Sequence, residues 1–396
     1  MLIKELKKDL YYVGVNDRKT HLFENMWPIP QGVSYNSYMI MDEKTALFDT
    51  VEIAQSGMFI KKVLNVLNGR KLDYLIVNHM EPDHGGSIDI IRQYFPDVVF
   101  VGNKKTFGML DGYFGIKDNL YEVKEGDSLS LGKHVLNFFM APMVHWPEVM
   151  VTYDSTNKVL FSADAFGTFG TIDGGILDTE LDLMKYEGEM RRYYASIVGK
   201  YGNPVQKALQ KLSPVDISMI CSLHGPVWTE DIERVVGLYD KWSRYEAEEE
   251  GVVIAYGSMY GNTEEMAERV ARSLSIYGVK KIVMHDVSKS DVSYILSDIF
   301  RYNGLIIASP TYCNELYPGV KSLLDKIETR GIKNKVFSFF GSFSWADASN
   351  KLFAKFAEEM KWNVVGEPFA EKMTLGEEKT HMAEELGKVM AEAIKK

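Results

Sequence analysis

"VNHMEPDHGGS" occupies Val77–Ser87 and places His79, Glu81, Asp83 and His84 within six positions, with two glycines following. It comes straight after the apolar run "LDYLIVN" (72–78), which is strand-sized. The stretch is therefore read as a loop at the C-terminal end of a buried strand, the end where open α/β sheets place their ligands. At loop positions 1, 3, 5 and 6 the four side chains can turn towards one point. Carboxylates packed this tightly repel each other without a cation. One or two metal ions resolve that conflict.

Three later runs have the same form. "HVLNFFMAP" (134–142) leads towards His145, "KVLFSA" (158–163) into Asp164, and "DISMICSL" (216–223) into His224. Helical patterns such as "SGMFIKKVLNVL" and "VQKALQKL" intervene, which predicts a layered α/β domain. Seven metal-capable side chains are too many for one four-coordinate zinc and suit two metals sharing a carboxylate. A lone histidine at a strand end reads as a hydrogen-bonded core residue. Seven such side chains from four segments do not. His21, His134, His285 and His381 lack such company and are read as structural.

The polar, acidic stretch "KWSRYEAEEEG" then gives way to the apolar run "VVIAY", which places a boundary near Glu249 and domains at 1–249 and 250–396. Beyond it the expected strands are "VVIAY", "KIVMHDV", "GLIIAS", "KVFSFFG" and "WNVVG". Expected helices follow them from Glu264, near 289–301, 318–330, 347–361 and 377–395. Five strands alternating with five helices predict a doubly wound parallel five-stranded sheet. Its first strand runs into "GSMYGNT" (257–263), a glycine- and hydroxyl-rich loop that opens a helix. Backbone N–H groups there, with Ser258, Asn262 and Thr263, can cradle an anion. The loop has no lysine, so it is not a Walker A motif, and it suits a single terminal phosphate such as that of FMN. "SPTYCNELYP" (309–318) and "GSFSWAD" (341–347) follow the third and fourth strands and offer Tyr312 and Trp345 for stacking on a flat ring.

Composition sets outer bounds. The 396 residues exceed one ordinary core, and a formal net charge of −10 disfavours nucleic acid as a partner. No apolar run reaches the length of a membrane span, and "MLIKELKKDLYYVG" lacks the features of a signal peptide. Only Cys221 and Cys313 occur, far apart, which argues against a disulfide framework and fits a reducing cytoplasm.

The pattern H-x-E-x-D-H, with the later His, Asp and His, resembles the metallo-β-lactamase-like αββα sandwich in the form carried by flavodiiron proteins. "GVSYNSYMI", "HWPEVM" and "LFSADAFG" are similar to that family too, so the resemblance covers the whole first domain. Hydrolases of this fold usually show H-x-H-x-D-H, and Glu81 stands at their second histidine. A carboxylate there makes the site harder and more anionic, which suits iron better than an all-nitrogen zinc face. The resemblance implies one iron on His79, Glu81 and His145, a second on Asp83, His84 and His224, and Asp164 as the bridge. It also implies proton donors at Tyr194 and at Glu24, where some relatives carry histidine.

The second domain resembles flavodoxin and the flavin domain of the same family. That match assigns Ser258, Met259, Tyr260, Gly261, Asn262 and Thr263 to the phosphate of FMN. It assigns Pro310, Thr311, Tyr312 and Asn314, with Gly341, Ser342, Phe343 and Trp345, to the ring. Cys313, Ser344, Ala346 and Asp347 depart from residues that relatives often carry.

The activity so implied is reduction of dioxygen to water or of nitric oxide to nitrous oxide, with FMN returning electrons to the irons. No C-x-x-C pair follows the last helix, so a rubredoxin-like carrier is the expected donor. Flavin and irons of one chain are expected to lie too far apart, which makes a head-to-tail homodimer or homotetramer the expected assembly. Two rival readings remain: a binuclear metal hydrolase with an accessory flavodoxin-like domain, which Glu81 disfavours, and a bare electron carrier, which the complete ligand set disfavours.

Overall fold

Strand Tyr74–Ile76, just ahead of the His79 loop, lies between Thr45–Phe48 and Val99–Gly102 and runs parallel to both. Leu75 and Ile76 are fully buried. A strand covered on both faces reads as a continuous apolar run rather than an alternating one. The structure is a computed structural model that describes residues 3–395. It divides into two compact units, one ending at Tyr194 and resuming over Asn203–Asp240, the other made of Ala195–Gly202 and the chain from Lys241.

The first unit holds two sheets. One has seven strands, in the order Lys4–Lys7, Leu10–Tyr12, Tyr38–Met41, Thr45–Phe48, Tyr74–Ile76, Val99–Gly102 and Leu120–Glu122. The other has five: Ser128–Ser130, Val135–Met140, Met150–Asp154, Val159–Phe161 and Met219–Cys221. Their inner faces meet in one core, where Phe48 of the first sheet stacks on Phe161 of the second at 3.8 Å between ring centroids. Each fully buried aliphatic or aromatic side chain of this core contributes about 1.5–3 kcal/mol. Helices supply the crossovers between the parallel strands. Ser56–Leu67 buries Phe59, Ile60, Val63 and Leu67 along one stripe. Lys104–Phe114 starts where the Asn103 side chain accepts from the amides of Lys105 and Thr106. The result is an αββα sandwich whose strand ends carry the loops of interest.

The second unit is a doubly wound parallel sheet in the order Ile282–Asp286, Glu249–Tyr256, Tyr302–Tyr312, Val336–Phe343 and a fifth position. That fifth position differs from the expected "WNVVG" strand. Asn363–Val364 pairs only with Val336 and Phe337, and Phe369–Lys372 then takes over beside Phe340–Phe343. Gly366 at φ 72° and Pro368, which has no N–H to give the ladder, break the strand between them. The helix expected from 289 begins at Val292, because the Asp291 side chain caps the Ser293 amide at 2.9 Å. The helix expected from Glu264 begins at Asn262, and the last one runs Thr380–Ala393 after a short 3-10 turn. Among the described residues no helix is long and apolar enough to cross a membrane, and both cysteines are free.

Candidate metal centre and flavin pocket

The His79 loop is pinned from behind. Asp49 Oδ1 accepts from the amides of Asn78 and His79, at 2.8 and 3.0 Å, and its Oδ2 accepts from Asn78 Nδ2. Pro82 then opens a single helical turn, Pro82–Gly85, which swings Asp83 and His84 round. The amide and the hydroxyl of Thr50 both donate to the His84 carbonyl. A side chain at Gly86 would place its Cβ 2.5 Å from the Pro82 carbonyl oxygen, so the turn closes only on glycine.

The seven sequence-predicted residues come together as two groups. His79, Glu81, His145 and Asp164 form one, and Asp83, His84 and His224 the other. Asp164 divides its oxygens between them. Its Oδ2 lies 3.4 Å from His79 Nε2 and 3.1 Å from His145 Nε2, while its Oδ1 lies 3.1 Å from His84 Nε2 and 3.6 Å from His224 Nε2. Glu81 Oε2 is 3.0 Å from His145 Nε2, and Asp83 Oδ2 is 3.2 Å from both His84 and His224. Donor atoms about 3 Å apart are spaced like the edges of a coordination shell whose bonds are about 2.0–2.2 Å.

The donor chemistry fits a pair of cations. Both oxygens of Asp83 and Oδ1 of Asp164 are buried without a hydrogen-bond partner. Buried carboxylate oxygens without a partner are costly unless positive charge reaches them. The histidines are set up as lone-pair donors. His224 Nδ1 faces the Ser34 carbonyl at 2.8 Å, so that nitrogen carries the proton and Nε2 offers its lone pair to the cluster. His79 Nδ1 is likewise 2.8 Å from Glu148 Oε1. Burial works against every charge here, yet His84 and His79 hold Asp164 well below the ordinary carboxylate range. Against its burial, Asp83 and Asp164 in turn push His84 up to about 10. Both shifts express one demand for positive charge at the centre, which two metal ions meet.

Glu148, Ser34, Tyr35 and Tyr193 belong to this surround, although sequence reasoning did not single them out as functional. Tyr35 and Tyr193 place their rings 5.9 and 5.3 Å from His224. The Tyr193 hydroxyl is buried with no hydrogen-bond partner. Of the two expected proton donors, Tyr194 packs its ring on Tyr239 at 5.0 Å, and it is Tyr193 that faces the cluster. Glu24 lines an open pocket of about 530 Å³ together with Tyr35, Glu81 and Asp83. As a residue it stays exposed, while its carboxyl turns inward to accept from Trp27 Nε1 at 3.0 Å. Burial and the adjacent Glu81 carboxylate push its pKa up to about 7. Of the remaining histidines, His134 pairs with Asp154, His285 lies between Ser290 and Asp298, and His381 Nδ1 lies 3.1 Å from the Glu378 carbonyl oxygen.

In the second unit a pocket of about 380 Å³ opens at the C-terminal strand ends. Every ring and phosphate residue expected from the sequence lines it except Gly261 and Gly341, and Cys313, Ser344, Ala346 and Met373 complete the wall. Ser258 Oγ accepts from the Gly261 amide at 3.1 Å, and Thr263 Oγ1 pairs with Ser342 Oγ at 2.9 Å. Gly261, at φ 93°, turns the loop into the helix. Gly341 has no room for a side chain, since its Cβ would fall 2.0 Å from Ser349 Oγ. Tyr260 and Trp345 stand 91% and 87% exposed at the rim, positions from which they can close over a planar ring.

Comparison with known proteins agrees with this division. Residues 33–225 match the ODP family of beta lactamases, and 254–388 match flavodoxin. The nitric oxide reductase of Moorella thermoacetica is 32% identical over 363 residues, covering 91% of this chain and 90% of that protein. The anaerobic nitric oxide reductase flavorubredoxin of Pectobacterium atrosepticum is 31% identical over 347 residues, 86% of this chain and 68% of that one. Among solved structures, rubredoxin oxygen:oxidoreductase of Desulfovibrio gigas superposes with a TM-score of 0.94 at 29% identity, covering 100% and 99% of the two chains. The flavodiiron protein of Giardia intestinalis superposes with the same score at 27% identity, covering 100% and 97%.

Proposed function

From the premise that the chain belongs to the flavodiiron proteins, we propose that it reduces nitric oxide to nitrous oxide, dioxygen to water, or both, as a diiron flavoprotein. The observation that carries this reading is the sharing of Asp164 between two donor groups, Oδ2 towards one and Oδ1 towards the other. Two irons held there would bind and reduce the diatomic gas, with FMN relaying electrons one at a time.

The chain's own residues do the rest. His79, Glu81 and His145 would hold one iron, Asp83, His84 and His224 the other, with Asp164 between them. Glu148 and Ser34 fix the imidazole planes of His79 and His224, so that metal binding needs no reorientation. Both reductions consume as many protons as electrons. Glu24, which lines the open pocket with Glu81 and Asp83, would pass protons inward, and Tyr193, whose ring lies 5.3 Å from that of His224, would serve the same task. In the flavin domain Ser258, Thr263 and the amides after Gly261 would bind the FMN phosphate, and Tyr312 and Trp345 would flank the ring. A rubredoxin-type donor is the carrier that the related proteins point to, and the assembly is proposed as a head-to-tail homodimer or a tetramer of such dimers. Glu81 disfavours the binuclear hydrolase, as a second imidazole would be expected there. The test is protein purified without oxygen, analysed for iron and FMN, then supplied with reduced rubredoxin. Consumption of either gas over many turnovers is expected. Two zinc ions with esterase turnover would instead favour the hydrolase.

A further inference from the structure

Behind the ligand loops of the first unit lies a second, smaller space of about 20 Å³, walled by Val144, Ala165, Phe166, Ala208, Leu209 and Tyr239 with a few neighbours. Val144 precedes the candidate ligand His145 in the chain, and Ala165 follows the candidate bridge Asp164. One side of the cavity is thus the backbone that carries two ligands. The lining is apolar apart from two hydroxyl residues. Ser162 Oγ is already committed to the Ala165 carbonyl at 2.7 Å, and Tyr239 lays its ring against Phe166 at 4.5 Å. A water molecule here would miss the two to four polar partners that retain one, whereas dry apolar cavities take up xenon and other small apolar species. The volume admits one small molecule, since one water-sized sphere needs roughly 10–15 Å³. The far side is helix Gly202–Leu212, where Ala208, Leu209 and Leu212 are only half-buried, so little protein separates the cavity from solvent.

We propose that this cavity receives the diatomic gas and hands it to the metal centre. The inference rests on the gas-reductase reading above. Nitric oxide and dioxygen are small and poorly solvated by water, and the cavity offers them what it denies to water. The open pocket that holds Glu24, Tyr35 and Asp83 also carries the carboxylates of Glu52 and Glu81, which suits it to protons. The two supplies therefore reach the centre by different ways.

The experiment is xenon pressurisation of holoprotein crystals, together with gas-consumption kinetics. One xenon atom against Val144, Phe166 and Leu209 is expected. Ala208→Phe, which fills the space, is expected to abolish that peak and raise KM for the gas several-fold. It should leave kcat at saturating gas and the rate of FMN reduction unchanged. A xenon-free wild-type cavity overturns the proposal, and so does a filled variant with wild-type KM. Leu209→Ala, which widens the space, guards against misfolding of the filled variant: higher xenon occupancy with a lowered KM is expected, and an unmoved KM overturns the proposal. Failure of the iron- and FMN-loaded wild type to consume either gas overturns both readings. Normal turnover with an indifferent KM overturns only this one.

Discussion

Glu148 Oε1 sits 2.8 Å from His79 Nδ1 and also accepts from the Met80 amide at 2.9 Å, while its Oε2 is buried without a partner. One carboxylate oxygen thus fixes both the ring and the backbone of the first ligand loop. Glu148→Ala leaves the seven metal-capable side chains intact but frees the His79 ring to rotate. Loss of such an outer partner weakens metal binding by about 10–100-fold. Chelator competition on the iron-loaded protein should show this, with FMN content unchanged. Iron retention equal to wild type would remove Glu148 from the account.

The seven clustered side chains were legible in the sequence because each follows an apolar run that ends abruptly in a polar residue. Glu148 was not. It lies in an irregular loop where a charged residue is ordinary, and its role depends on a fold that brings positions 79 and 148 together. Tyr193 was not singled out either, since one of two adjacent tyrosines at a helix end carries no local mark, and its place beside His224 depends on a fold that brings positions 193 and 224 together. The broken fifth strand of the flavin domain was hidden because Trp362–Gly366 reads as strand locally, while the pairing partner of each half is a tertiary fact.

Asp164 is the residue whose loss should separate the two metal positions. Asp164→Ala removes an oxygen from each group and leaves buried imidazoles facing each other. Iron per chain is expected to fall from two to one or fewer, and gas consumption to vanish. Donor-driven FMN reduction should persist, since the flavin pocket takes nothing from Asp164. Two irons retained in the variant would contradict the bridge.

The phosphate loop makes an independent prediction. Ser258 and Thr263 present hydroxyls where the helix Asn262–Ile276 begins. Hydrogen bonds to a charged group are worth about 1.5–3 kcal/mol, and 1.4 kcal/mol is tenfold in affinity. Thr263→Val should therefore weaken FMN binding by roughly tenfold or more. Fluorescence titration of apoprotein measures it directly, and an unchanged Kd would place the phosphate elsewhere.

Lys335 makes a prediction about stability. Its ammonium is buried and donates to the Tyr302 carbonyl at 2.6 Å, and burial pushes its pKa from 10.5 down to about 7. Between those values the unfolded chain binds a proton that the folded chain does not. Stability therefore rises as pH climbs from 7 towards 10.5, by up to about 1.4 kcal/mol per pH unit from this group. It falls off again as pH drops to 7. Lys335→Met has no such proton. In chemical denaturation at pH 7 and 9, wild type should gain on the variant at the higher pH, and parallel behaviour would mean the ammonium is solvated.

A head-to-tail dimer predicts complementation. Asp164→Ala chains keep a flavin pocket but lack a bridge, and chains carrying Ser258→Ala with Thr263→Val keep the metal cluster but bind FMN poorly. Neither homodimer should turn over gas. In a two-fold symmetric pair each centre would draw on the partner's flavin, so a mixed dimer regains one complete flavin–metal pairing out of two. Random assembly makes half the dimers mixed, so roughly a quarter of wild-type activity per chain should return. Electron transfer confined within one chain predicts none, because no single chain in the mixture carries both parts. The recovered fraction, measured after co-refolding or co-expression at equal dose, decides between the two routes.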